Sequence, residues 1–424
     1  MTSPTPAPGD RPATSAERPA LSENGSSAPE RGAGQQGIAM LDEPSDTPAR
    51  RSLRSRSRPV PGVRRATVIG AGSFGTALAV VLARSGIRTT LQARTESQAE
   101  RLQAERENQS YLPGVKLPTG VRIEPASAGV GRADHIFLAV PSRELDSAIA
   151  ALKTADLAPG AAVISVAKGL TSHSGQPPTV ALSAAFGAHR VACVGGPAHA
   201  QEMVHEGAAL VAASIDEGLA QTLAQVFTRA GVVCEQSNDP VGVELAGAAK
   251  NAAALAAGAT EAQGLNAAGA AAGHIFAEVW RYAAGLGARP ESLIGLAGTG
   301  DLVATALARE SRNRRAGELL AEGMPATEIP AHIGQAVESL ESVPLLAATL
   351  DRAGVEAPVT SALGRLIAGE LPLEDWVALV RATVPPPARW RRRSQEGGPR
   401  RWWRRQKGGP GLWRRLLDAL RGRS

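Results

Sequence analysis

Aromatic side chains are scarce, at 3% of 424 residues, yet apolar residues reach 43%. Any core must therefore be built from Ala, Val and Leu in closely packed elements. Cysteine is nearly absent. Cys193 and Cys234 are too few and too far apart for a disulfide framework or a thiolate metal site, so they read as reduced core residues and no metal is expected. No apolar run approaches the roughly 18 residues of a membrane span. The first residues also lack a charged stretch followed by an apolar core, so a cytoplasmic location is expected. Lysine occurs only at positions 116, 153, 168, 250 and 407, in a chain whose basic residues are otherwise arginine. The net charge of +6 is not spread evenly, because much of it sits at the C-terminal end. It therefore does not mark the whole chain as a binder of polyanions.

Organisation changes along the chain. Residues 1–62 are rich in Pro, Ser, Ala, Gly, Glu and Arg without apolar periodicity, the composition of a disordered tail. Over 63–239, short apolar runs alternate with helical patterns, as in βαβ units around a parallel sheet. The expected strands are Ala66–Ile69, Arg88–Arg94, His135–Val140, Ala162–Val166, Val191–Val194 and Ala208–Ala212. Over 240–383 the pattern is long, Ala-rich and helical. The fold class is therefore α/β, with an N-terminal doubly wound, Rossmann-type sheet domain, a C-terminal all-α substrate domain and disordered tails. Beyond Pro385–Pro387, the segment 384–424 carries Arg and Trp clusters. Its last stretch puts Leu412, Trp413, Leu416, Leu417 and Leu420 on one helical face, with Arg on the other. That is the pattern of peripheral contact with an anionic membrane; a disordered basic extension is the simpler reading, and nucleic acid is the least favoured partner.

Gly70-Ala71-Gly72-Ser73-Phe74-Gly75 follows an apolar strand and opens a helix-like run. In that context Gly70 permits a tight turn, Gly72 lets backbone amides approach a pyrophosphate, and Gly75 allows close packing of helix on strand. About 20 residues on, where an NAD-selective site carries a carboxylate, the chain has Arg94. An arginine there accommodates a 2'-phosphate, so NADPH/NADP is the expected cofactor, with NADH/NAD as the alternative. Ligands of such sheets bind beyond the carboxyl ends of the strands. Pro141-Ser142, Lys168-Gly169 and Gly196-Pro197-Ala198 are thereby placed at one rim.

Lys250 lies in a nearly apolar helical run, Val241–Asn251. A solvated surface lysine is the ordinary alternative, but burial there would lower its pKa and make it a proton donor. Asp301 follows Gly298-Thr299-Gly300 and is either a helix N-cap or an ion-pair partner for a lysine. Ser311-Arg312-Asn313-Arg314-Arg315 concentrates donors ahead of the helix-like Ala316–Leu320, which suits a phosphate as well as it suits a solvated basic face.

Taken in order, Gly70–Ala77, Val140–Ser142, Ala167–Leu170, Gly196-Pro197, Gly247–Asn251, Ala297–Leu302 and Ser311–Arg315 resemble the bacterial NAD(P)-dependent glycerol-3-phosphate dehydrogenases, over about residues 63–370. The resemblance implies reversible reduction of dihydroxyacetone phosphate to sn-glycerol 3-phosphate for phospholipid synthesis, by an enzyme expected to be a homodimer. It makes Lys250 the proton donor and acceptor and lets Lys168 touch both cofactor and substrate. Gly196, Ala198, Asp301, Ser311, Arg312 and Asn313 match substrate-side positions. Ser73, Phe74, Arg94, Ala200 and Glu338, with Arg312, match cofactor positions. The chain departs from the pattern at Ala198, at Ala268 and at Ala272-Gly273-His274. A related reductase of another small 2-oxo or hydroxy compound, or an inactive NADP-binding protein, are the alternatives. If the basic tail seeks membrane, the full chain will cosediment with anionic vesicles and a chain ending at Thr383 will not; equal, negligible binding removes that role.

Overall fold

The computed structural model describes residues 63–308 and 311–384. The expectations for 1–62 and for the basic tail beyond Val384 lie outside the described residues. The described residues form ten strands: β1 (Arg65–Ile69), β2 (Arg88–Ala93), β3 (Glu107–Asn108), β4 (Leu112–Lys116), β5 (Val121–Pro125), β6 (His135–Leu138), β7 (Ala162–Ser165), β8 (Val191–Gly195), β9 (Ala209–Ala213) and β10 (Val233–Ser237). Eight of them form one sheet in the order β10-β9-β8-β7-β6-β1-β2-β5, while β3 and β4 make a small hairpin. The order reverses between β1 and β6, the switch point at which doubly wound sheets open a crevice beyond their carboxyl ends.

The sheet carries helices on both faces because its central strands are apolar on both. On one side Ala66, Val68, Leu91, Phe137 and Ile164 pack with residues of the helices Ser73–Arg84 and Glu217–Arg229. On the other, Ile136, Leu138, Val163 and Val191 meet Leu145–Thr154 and Pro178–Phe186. Such double burial gives continuous apolar runs instead of alternation.

One part of the expected parallel sheet is corrected. β9 pairs antiparallel to β8, with Cys193 opposite Ala213, and β10 runs parallel to β9. The cause lies at the end of β8. Gly196 has φ 109°, and a Cβ there would lie 2.7 Å from the carbonyl oxygen of Ala209, while the Ala209 amide donates to the Pro197 carbonyl at 3.3 Å. The start of β9 is thus held against the end of β8, and the strand leaves in the opposite direction.

From Pro240 onward the described residues are helical. The helix Pro240–Thr260 is buried along most of its length, as a helix apolar on all sides must be, and Cys193, Val211 and Ala213 of the sheet share its core with Val243, Leu245 and Ala246. Buried carboxylates tie down helix starts. Asp239 accepts from the Gly242 amide (2.8 Å), the Arg289 amide (2.7 Å) and the Ser292 hydroxyl (2.7 Å). Glu278 accepts from the amides of Val359 (3.0 Å) and Thr360 (2.8 Å) at the head of Pro358–Ile367.

The helix Arg312–Ala321 approaches Pro240–Thr260 at glycine on both sides. A Cβ on Gly258 would overlap the Arg314 carbonyl, and one on Gly317 would overlap the Leu255 carbonyl. These two glycines set the spacing of the helices that carry Lys250 and Asn313. Gly317→Ala should therefore destabilise by about 1–3 kcal/mol through overpacking, read as a lower denaturant midpoint with loss of activity; an unchanged midpoint would show that the helices can part without cost.

Candidate active site

The glycine loop after β1 is shaped for close approach. Gly70 has φ 110°, in the region that favours glycine, and a Cβ there would overlap the Ala139 carbonyl, while one on Gly75 would overlap that of Gly70. Those two positions are tied to packing. Gly72 is different, since a Cβ there would meet nothing within 4 Å. It borders open space directly before the helix Ser73–Arg84, where a pyrophosphate would face unpaired amides. Ser73 donates to the Tyr111 carbonyl at 2.6 Å, and Phe74 packs half-buried on the sheet core. Asn108, which sequence reasoning missed, holds the loop through hydrogen bonds to the Ala71 carbonyl (3.0 Å) and the Thr76 hydroxyl (2.8 Å). Arg94 is exposed just past β2, its amide donating to Gln98 Oε1 at 3.0 Å. The residues present fit a dinucleotide.

Across the crevice sits a cluster of ionised groups. A π-helical turn, Leu296–Gly300, leads into Asp301. Such turns often mark functional sites, and this one aims a carboxylate that is only 2% exposed. Asp301 does not cap its helix: Oδ2 pairs with Lys168 Nζ, and Oδ1 lies 3.5 Å from Lys250 Nζ and accepts from the Thr305 hydroxyl at 3.4 Å. Lys168 also donates to the Gly196 carbonyl at 3.2 Å, which draws the loops after β7 and β8 together. Lys250 is 6% exposed. Burial and the neighbouring Lys168 ammonium pull its pKa down to about 8, against the opposing pull of Asp301 and Glu338. Burial alone would raise the pKa of Asp301, but Lys168 and Lys250 hold it below its ordinary value.

Asn251 connects this cluster to the arginine-rich segment, and nothing in the sequence set it apart from any polar helix residue. Its Nδ2 donates to the Lys168 carbonyl (3.1 Å) and to Glu338 Oε2 (3.3 Å), and its Oδ1 accepts from Asn313 Nδ2 at 2.9 Å. Asn313 in turn accepts from the Ser339 amide at 3.3 Å. The helix begins at Arg312, earlier than the expected Ala316, so Ser311 is its N-cap and accepts from the Arg314 amide at 3.4 Å. Arg314 pairs with Glu261 (2.8 Å) and Glu318 (3.2 Å), and Arg315 with Glu318 (2.9 Å). Arg312 instead donates to the Ala336 carbonyl at 3.1 Å and is exposed.

The structure thus gathers Lys168, Gly196, Lys250 and Asp301 directly, and joins Asn313 and Glu338 to them through Asn251. Gly169 lies between Ser142 and Ser342, with Ser142 Oγ 2.8 Å from where its Cβ would be, so the loop after β6 belongs to the same rim. Ser73, Phe74 and Arg94 stand at the glycine-loop end. Ala198 and Ala200 lie half-buried after β8, Ala200 opening the helix Ala200–His205, and offer no side-chain polar group. Ala268, Ala272 and His274 lie on the helix Leu265–Gly285. Among the described residues no group of three or more His, Cys, Asp or Glu could hold a metal, and no helix is long and apolar enough to cross a membrane.

Comparison with known proteins identifies the family. Residues 65–220 match the family described as NAD-dependent glycerol-3-phosphate dehydrogenase N-terminus, and 239–378 match its C-terminus. A glycerol-3-phosphate dehydrogenase [NAD(P)+] of Caulobacter vibrioides is 35% identical over 314 residues, covering 73% of this chain and 95% of that protein. One from Chlorobium luteolum is 36% identical over 329 residues, covering 76% and 98%. The crystal structure of glycerol-3-phosphate dehydrogenase from Coxiella burnetii superposes with a TM-score of 0.71 at 30% identity, over 76% of this chain and 100% of that one.

The charge arrangement has a consequence for stability. Asp301→Ala leaves two ammonium groups facing each other in a largely dry site, at a cost of about 3–5 kcal/mol while both stay charged. Without the carboxylate, the pKa of Lys250 in the folded state falls further below its unfolded value. The folded protein then binds fewer protons than the unfolded one, so stability rises with pH. In denaturant titrations the deficit of the variant should be largest near pH 6, shrink as pH rises to about 8 and level off above it, where Lys250 is neutral in both folded proteins. A deficit independent of pH would contradict the pairing.

Proposed function

The chain belongs to the NAD-dependent glycerol-3-phosphate dehydrogenase family, and from that premise we propose that Lys250, Asp301, Lys168 and Arg312 carry its reaction. That reaction is the reversible, NAD(P)H-dependent reduction of dihydroxyacetone phosphate to sn-glycerol 3-phosphate. The observation that bears the most weight is the buried Lys250–Asp301–Lys168 cluster, joined through Asn251 and Asn313 to the helix start at Arg312.

When bound, the nicotinamide supplies or takes up the hydride at the substrate's carbonyl carbon. Negative charge then grows on the carbonyl oxygen, and the Lys250 ammonium both stabilises that charge and delivers the proton. Asp301 acts through the lysines: it fixes Lys250 and opposes the fall in pKa that burial imposes, so the ammonium persists to about pH 8. Lys168 reaches cofactor and substrate together, a role supported by its contacts with the Gly196 carbonyl and Asp301. Gly196 and Ala198 form the loop beside the substrate. Arg312 and the amides at the head of Arg312–Ala321 hold the phosphate, with Ser311 and Asn313 fixing that helix start. Remote phosphate binding then orients the reacting carbon.

Gly70, Gly72, Ser73, Phe74, Gly75, Arg94, Ala200 and Glu338 form the nucleotide side. Arg94 in place of a carboxylate favours NADPH over NADH. A cytoplasmic homodimer whose product feeds glycerophospholipid synthesis fits this reading, and sedimentation of the purified chain tests the assembly.

Lys250→Ala should lower NADPH oxidation with dihydroxyacetone phosphate by about 10²–10⁴-fold while nucleotide binding persists; unimpaired turnover sinks the assignment. Because Lys250 is the acid in reduction, the reductive rate should fall as pH rises through about 8, and the oxidative rate should rise over the same range. Arg94→Ala should weaken NADPH by about tenfold and leave NADH nearly unchanged; equal effects would remove Arg94 from the 2'-phosphate.

A further inference from the structure

The connection from β5 to β6 contains no covering helix. It makes one turn at Ala126–Ala128 and then crosses the sheet as a strap, residues 129–134. The strap is fastened by Gln92 Nε2 donating to the Gly129 carbonyl at 2.6 Å and by Thr67 Oγ1 donating to the Val130 carbonyl at 3.1 Å. On the amino-terminal side of the strap the sheet face stays open as a cleft of about 430 Å³, lined by Arg65, Arg88, Arg122 and Arg132 together with Thr67, Thr90 and Glu124.

The register explains why these side chains share a face. Arg65 lies directly beside Arg88, and Thr67, Thr90 and Arg122 form the next row across β1, β2 and β5. The alternate residues Ala66, Val68, Leu91, Val121 and Ile123 point into the core.

This is a costly arrangement unless something occupies it. Like charges side by side on adjacent strands destabilise a sheet. Among the described residues Glu124 is the cleft's one lining carboxylate, and it is paired with Arg122 at 3.3 Å. Asp134, at the end of the strap, is turned to the amides of Arg64 (2.7 Å) and Arg65 (2.9 Å), leaving the guanidinium groups of Arg65, Arg88 and Arg132 without a carboxylate partner among the described residues. Four positive charges against one negative leave a net excess of three.

The cleft cannot be the nucleotide site. Its Arg65 and Arg88, at the amino ends of β1 and β2, stand a strand length from the glycine loop, about 16 Å at ~3.3 Å per residue.

From this we infer that the cleft is a second anion site, distinct from the active site, that binds a soluble ligand carrying two or more phosphate groups. Guanidinium forks match phosphate oxygens bidentately. Neighbouring strands stand about 4.8 Å apart, so arginines spread over three strands reach two phosphates better than one. The volume lies within the range of small-ligand pockets. Among the described residues no aromatic side chain lines the cleft, so they offer no platform for stacking a base.

Inorganic pyrophosphate is the probe. It is titrated calorimetrically into the full chain held as its complex with NADP and dihydroxyacetone phosphate, a pair that cannot react and that fills the active-site phosphate positions. One saturable site per chain is expected. Arg65→Gln with Arg88→Gln should weaken it by about a hundredfold, roughly tenfold per lost charged contact, while Arg365→Gln, at a surface arginine near Glu370, leaves it unchanged. Absence of a saturable site, or equal loss in both variants, overturns the inference. A membrane headgroup offers the same chemistry, so cosedimentation with phosphatidylglycerol vesicles is the second arm. A soluble ligand predicts equal cosedimentation of the parent chain and the double variant; loss confined to the double variant overturns the soluble source in favour of lipid.

Discussion

One carboxylate shared by two ammonium groups organises this molecule. Asp301 is almost wholly buried, and an isolated charge there would be expelled or neutralised. Lys168 and Lys250 keep it ionised, and it keeps them in place. Lys168 comes from the loop after β7, Lys250 from the long central helix and Asp301 from the helix start that follows the π-helical turn, so the cluster fastens sheet and helices to each other. Burial lowers the Lys250 pKa while Asp301 opposes the fall, and the resulting value of about 8 leaves an amine that can both give and take a proton. A reversible oxidoreductase needs that balance.

The surrounding architecture holds this cluster against the helix start at Arg312. Small residues let helices approach to backbone contact at Gly258 and Gly317, which brings Asn313 within 2.9 Å of Asn251. A larger residue at either glycine would separate Lys250 from the helix start at Arg312. The scarcity of aromatic residues and the abundance of alanine are thus features of one design: thin helices, close axes and side-chain amides that bridge them.

How much of this was legible in the sequence depended on the range of the signal. The glycine loop was readable because strand, turn and helix are adjacent in the chain. Lys250 stood out as a rare ionisable residue in an apolar run, and it is buried, not a solvated surface lysine. The reversal of β9 was not readable, since Ala209–Ala213 has the same apolar pattern in either direction and the cause is a contact between Gly196 and Ala209. β10 escaped notice because Val233–Ser237 is a largely exposed edge strand without an apolar run, and β5 because Val121–Pro125 alternates beside prolines and glycines. Asn251 and Asn108 act through partners far away in the chain, and an amide carries no mark of that in sequence. Of the three arginines at 312–315, only the folded chain shows that Arg314 and Arg315 are held by glutamates.

The scarcity of lysine offers a direct test of the central cluster. With five lysines in the chain, isotope labelling of their side chains and NMR titration can follow each ammonium, and Lys250→Arg assigns the signal. The account predicts that the Lys250 signal titrates near pH 8 and moves to lower pH when Asp301 is replaced by Asn. A Lys250 signal that titrates in the ordinary range of a solvated lysine side chain, or that is indifferent to Asp301, would contradict it.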